Sequence, residues 1–128
     1  INLVLPAAAI VALGRRIVLE PFVSSRTIIA LLCVYLLIGM TFAATYITIA
    51  VVSEEPFFVQ TDQAQPVDFT YFSLVTLATV GYGDFTAANP MPRMLAAIEG
   101  LTGQLYLVTV VAVAVSRVRT RRDQPPAG

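Results

Sequence analysis

Two apolar stretches constrain this chain more than anything else in it. Thr27 to Val52 holds no charged residue, and Met94 to Val115 holds one, Glu99. Each exceeds the ~20 residues that carry a helix across a bilayer core. Apolar residues make up 57% of the sequence and charged residues 12%, against about 25% charged in soluble domains. A chain of 128 residues cannot bury that much apolar surface in its own core. The surplus must face lipid or other subunits, so the expected fold is an all-α membrane protein.

A third apolar stretch, Leu3 to Leu13, is too short to span and is followed by Arg15 and Arg16. It reads either as the end of a further membrane helix or as an interfacial helix. A cleaved signal peptide fits less well, because the basic residues follow the apolar run. Glu20-Pro21 then breaks the helical pattern. The segment between the two spans is polar as far as Gln65-Pro66 and turns apolar from Val67 to Thr79. Asp68 suits the start of a short helix, where an acid favours the macrodipole. Phe69, Phe72, Leu74, Val75 and Leu77 suit its buried side. Too short to cross, this helix and the following Gly-Tyr-Gly-Asp read as a re-entrant element. Such backbone is tolerated at membrane depth only when buried in protein or lining a water-filled cavity, which implies partner subunits.

The eight arginines and eight acids balance, and there is no histidine. Arg15, Arg16 and Arg26 precede the first span; Arg117, Arg119, Arg121 and Arg122 follow the second. The intervening loop carries Glu54, Glu55, Asp62, Asp68 and Asp84 against Arg93 alone. The positive-inside rule places the arginine clusters in the cytoplasm and the acidic loop outside. The acids would raise cation concentration at the outer mouth, or be simply solvated. No basic stripe supports nucleic-acid binding. The lone Cys33 and the scattered acids form no catalytic constellation, so an enzyme is not expected. No arginine repeat lies within a span, so no voltage sensor is visible.

The run Thr76-Leu77-Ala78-Thr79-Val80-Gly81-Tyr82-Gly83-Asp84 resembles the signature of the potassium channel family. The resemblance covers Thr27 to Val118. It implies an outer helix over 27–52, a pore helix over 68–78, a selectivity filter over 79–83 and an inner helix over 94–116. Residues 1–26 would form an N-terminal segment and 119–128 a disordered cytoplasmic tail. It implies that K+ is the transported ion, held by the backbone carbonyls of Thr79, Val80, Gly81 and Tyr82 and by the Thr79 hydroxyl. Gly83 completes the filter, and Gly81 and Gly83 suit the positive-φ backbone such a segment needs. Four copies around one axis would complete the rings of oxygens, making a homotetramer in the lipid bilayer of a cell membrane, bacterial in type. No organic cofactor is implied. The runner-up is a weakly selective cation channel of the same architecture, and a non-conducting membrane anchor is a rival of another class.

Several residues flank the implied filter. Tyr82 would pack on Tyr71 and Phe72. Thr76 and Val75 would support the filter from the pore helix. Some members of the family carry a carboxylate at the Val75 position, paired with the acid after the filter. Here Asp84 needs another partner, such as Tyr71 or a backbone amide. Glu99 lies inside a span, where an ionisable group is costly and is paired or functional; the expected partners are Thr70 or Ser73, in a structural tie or a pH-sensitive brace. Gly103 falls where the family carries a gating hinge, with close helix packing as the rival. By spacing from it, Gln104, Leu107 and Val111 would line the cavity.

Overall fold

The computed structural model describes residues 25–53 and 55–122. Their order is helix α1 (Ser25–Val52), helix α2 (Pro66–Leu77) and helix α3 (Pro90–Arg122). There is no strand among the described residues, only one antiparallel bridge between Phe58 and Ala87. Residues 1–24 of the expected N-terminal segment and the final residues, 123–128, lie outside the described part, and residues 25 and 26 open α1.

The two long helices are long and apolar enough to cross a bilayer, over Thr27–Val52 and Pro90–Ala112. Only 28% and 11% of their most apolar windows are buried within the chain. Three threonine side chains of α1 are satisfied locally. Thr41, Thr45 and Thr48 donate to the carbonyls of Leu37, Thr41 and Ala44 at 2.7, 2.8 and 2.8 Å. That arrangement lets a hydroxyl enter a membrane helix without an unpaired donor.

Helix α2 starts at Pro66, two residues before the expected Asp68. A proline is tolerated in the first turn, where its missing N–H would be unpaired anyway. Asp68 sits at the third helical position and accepts the Gln65 backbone N–H at 2.7 Å, half of a capping box. The helix ends at Leu77, with Ala78 as its cap. Helix α3 likewise starts at Pro90 instead of 94, with Pro92 also in its first turn. It runs on to Arg122 instead of stopping at 116, so residues 119–122, expected in a disordered tail, are helical. Arginine is among the better helix formers, which is why the polar sequence does not end the helix.

Helix α2 lies against both long helices. Its buried residues are Phe69, Phe72, Ser73 and Leu77, spaced for one face. Phe69 and Phe72 join Tyr46 of α1, Phe57 and Phe58 of the first loop, and Ala87 of the second in one cluster. Phe58 touches Phe57, Phe69, Phe72 and Phe85, with ring centroids 4.8–5.3 Å apart. The two loops are tied by Val59 N–H to Thr86 O at 3.0 Å and Ala88 N–H to Phe57 O at 2.8 Å. The Gln60 amide adds bonds to the Thr86 hydroxyl and N–H at 2.8 and 2.9 Å. This cap of aromatic rings sets the height and tilt of α2. Replacing Phe58, 1% exposed, by alanine should cost about 3–5 kcal/mol. Thermal unfolding in detergent should show that loss as a lower midpoint.

Candidate functional site

Segment 79–83 begins where α2 ends. The last four carbonyls of a helix lack partners within it, and here all are taken. Leu74 O accepts Ala78 N–H at 3.0 Å, and Thr76 O accepts Thr79 N–H at 2.9 Å. Val75 O accepts both Val80 N–H at 2.9 Å and Gly81 N–H at 3.4 Å. Leu77 O accepts the Tyr35 hydroxyl from α1 at 3.1 Å. The end of α2 and the start of the segment are therefore one hydrogen-bonded unit.

The backbone changes hand at every residue. φ is positive at Thr79 (56°), Gly81 (55°) and Gly83 (79°), and Val80 and Tyr82 between them are not in that region. Alternating handedness turns successive N–H groups to one side of the chain and successive carbonyls to the other. The Val80 and Gly81 N–H groups accordingly converge on Val75 O. All five residues of the segment are exposed.

Gly81 and Gly83 were the residues expected to take positive φ. Thr79 was not, and a β-branched residue there is a genuine outlier costing about 1–3 kcal/mol. Its N–H bond to Thr76 helps to hold it. So does Gln104 of α3, whose side-chain Nε2 donates to Thr79 Oγ1 at 2.9 Å. Gln104 was expected to line a cavity; the structure joins its side chain to the first residue of the segment. Leu107 and Val111 follow three and seven residues later on the same face. Both are exposed.

Asp84 finds the partner that Val75 cannot supply. The Tyr71 hydroxyl donates to Asp84 Oδ2 at 2.7 Å, and Phe85 N–H donates to Oδ1 at 3.1 Å. The bond to Asp84 pushes the Tyr71 hydroxyl up to about 12, so it stays protonated and donating near neutral pH. The Val75 side chain lines an open cleft of about 440 Å³ shared with Tyr71, Phe72, Thr76, Tyr82 and Asp84. The expected stacking of Tyr82 on Tyr71 and Phe72 is not formed within the chain. Tyr82 is 71% exposed, because Phe72 is turned into the aromatic cluster, against Tyr46, Phe57 and Phe58. Tyr71→Phe removes the tie between α2 and Asp84. We expect the loss of one hydrogen bond's contribution to stability, read as a lower melting midpoint in detergent.

Glu99 is completely buried. Its Oε1 contacts Ser73 Oγ, and its Oε2 accepts the Tyr46 hydroxyl at 2.6 Å. Ser73 Oγ also lies 2.7 Å from Gly39 O of α1. Of the two expected partners, Ser73 is present and Thr70 is not: its hydroxyl bonds Pro66 O of its own helix at 3.2 Å. Tyr46, Gly39 and Tyr35 were missed from the sequence. Two tyrosines within an uncharged span were the available signal, since a buried hydroxyl usually finds a partner.

Residues 36–120 match the protein family described as "Ion channel". The chain belongs to this family. Over 97 residues it is 35% identical to the inward rectifier potassium channel Kirbac3.1 of Paramagnetospirillum magnetotacticum, covering 73% of this chain and 29% of that protein. Over 100 residues it is 33% identical to two-pore potassium channel 4 of Arabidopsis thaliana, covering 78% of this chain and 34% of that protein. The chain thus spans about a third of the length of these curated relatives.

For a member of the ion-channel family, Gly103 is the residue whose role the structure narrows most. It lies inside unbroken α3, and a Cβ built on it would stand 2.2 Å from Leu77 O. The inner helix can press against the end of α2 only because this position is glycine. At Gly100 the nearest atom to a Cβ would be Thr76 O at 3.6 Å, an ordinary contact. Gly103→Ala should therefore destabilise the fold by about 1–3 kcal/mol or more through overpacking, while Gly100→Ala should be tolerated. Melting temperatures of the two variants in the same detergent check the contrast.

Proposed function

We propose that this chain is the pore-forming subunit of a potassium-selective channel, with four chains arranged around one axis. The alternating φ of residues 79–83 carries this proposal. In this reading it presents a row of backbone carbonyls on the exposed side of the segment, while the N–H groups of Thr79, Val80 and Gly81 are held by α2. Neutral carbonyl dipoles can replace the hydration shell of K+ without binding it too tightly to release. One chain offers one side of such a cage, so the ion needs the same segment from neighbouring chains. In the proposed assembly the ligands are the carbonyls of Thr79, Val80, Gly81 and Tyr82 and the Thr79 hydroxyl.

The exposed surfaces of the chain support an assembly of this kind. Met94, Ile98, Leu101, Leu105 and Val108 form an exposed apolar stripe on α3, spaced at three and four residues. Gln104, Leu107 and Val111 occupy a neighbouring strip, suited to the pore cavity. The exposed Tyr82 and the open cleft behind it would be closed by an adjacent subunit. Apolar patches of this extent mark contacts with protein or lipid. The arginine clusters would lie in the cytoplasm and the filter mouth outside. A gating bend at Gly103 belongs to the same proposal, although contact with Leu77 already accounts for the glycine.

The proposal is tested by reconstituting the chain in planar bilayers and measuring reversal potentials with K+ on one side and Na+ on the other. We expect a reversal set by K+. Equal permeability to Na+ would establish the weakly selective cation channel instead.

A further inference from the structure

The hydrogen atoms around Glu99 can be counted. Ser73 has one hydroxyl hydrogen and two oxygen neighbours, Gly39 O at 2.7 Å and Glu99 Oε1. Gly39 O is a carbonyl and can only accept, so the Ser73 hydrogen satisfies it. The remaining contact, between Ser73 Oγ and Glu99 Oε1, is then a hydrogen bond only if Glu99 supplies a proton. At the other carboxyl oxygen the Tyr46 hydroxyl donates its own hydrogen at 2.6 Å. Three contacts need three hydrogens: one each from Tyr46, Glu99 and Ser73. An ionised Glu99 would leave two hydrogens for three contacts.

The surroundings agree with that count. Tyr46, Ser73 and Glu99 are each 0% exposed. The titratable groups facing Glu99 are Tyr46 and, further off, Tyr35, both on α1; from α2 only the Ser73 hydroxyl reaches it. Arg93, on the same helix as Glu99, is engaged elsewhere, with Nε donating to Ala87 O at 2.8 Å. An unpaired buried charge is strongly disfavoured.

We infer that Glu99 is a proton-bearing positioning residue that latches α2 to both membrane-spanning helices. The latch runs Tyr46 O–H to Glu99, Glu99 O–H to Ser73, and Ser73 O–H to Gly39 O. It joins α1, α2 and α3 at one point, two residues before Val75, whose carbonyl anchors Val80 and Gly81. Removing the Glu99 proton draws the Ser73 hydrogen to the carboxylate and frees Gly39, so α2 loses this hydrogen bond to α1. The consequence for conduction rests on the channel function proposed above; the proton itself does not.

Infrared spectroscopy of the full chain in bilayers reads that proton directly. At neutral pH we expect the carbonyl stretch of a protonated carboxylic acid, absent in Glu99→Gln and shifted in Ser73→Ala, where one hydrogen bond to it is gone. The Ser73→Ala arm keeps the test open if Glu99→Gln does not fold. A band missing from the parent, or unmoved in Ser73→Ala, would overturn the inference. In Glu99→Gln the amide donates to Ser73 and accepts from Tyr46, reproducing the latch without a titratable proton. In channel recordings we expect that variant to match the parent at neutral pH and to keep its current at alkaline pH, where the parent loses it. Identical loss in both would overturn the positioning role. Because the infrared arm needs no ion flow, its outcome is independent of the conduction proposal.

Discussion

The carbonyl of Val75 holds the N–H groups of Val80 and Gly81 at once, and much of the site follows from that anchor. A helix that stops at membrane depth leaves four bare carbonyls, and a non-helical segment there leaves bare N–H groups. Either alone would be costly in a low-dielectric setting. In this chain the two deficits cancel. The end of α2 accepts the N–H groups of Thr79, Val80 and Gly81, and the segment's own carbonyls are left unengaged on the other side. The groups an ion would need are the ones the fold does not use.

The position of that anchor depends on three neighbours of α2. The aromatic cluster fixes its outer end and the Glu99–Ser73–Tyr46 contacts its middle. Leu77, 0% exposed, fixes its inner end between Tyr35 of α1 and the bare backbone of Gly103. The Tyr106 hydroxyl of α3 also donates to Leu31 O of α1 at 2.6 Å, tying the two long helices to each other. Among the described residues, no buried side-chain polar atom lacks a hydrogen-bond partner. A fold with so much polar pairing within its spans places α2 closely, because each unmet donor or acceptor would cost about 1–3 kcal/mol.

Much of this was legible in the residues themselves. Hydropathy marks the spans because length and charge are what a bilayer selects on, and the run from Thr76 to Asp84 carries the family resemblance. Helix ends were read less well. Prolines at 66, 90 and 92 look like helix breakers in a sequence and act as helix starters in the structure, since only the first turn can forgo their N–H. The Tyr71–Asp84 bond was among the candidates, whereas Gln104 on Thr79 and Tyr46 on Glu99 were not. Those pairs lie 25 and 53 residues apart, and no local pattern encodes which faces of two helices meet.

The sequence by itself determined that this chain carries two stretches long and apolar enough to cross a membrane, with a glycine-punctuated segment between them. Composition and glycine placement act locally, on each residue's own solvation and backbone freedom. The tertiary structure alone decided that Thr79 takes a left-handed conformation, that Gly103 is an approach surface for Leu77, and that Glu99 is enclosed by hydroxyls with no basic partner among the described residues. Each of these depends on three helices meeting at one depth, and that meeting is settled by packing and hydrogen-bond satisfaction across the whole bundle.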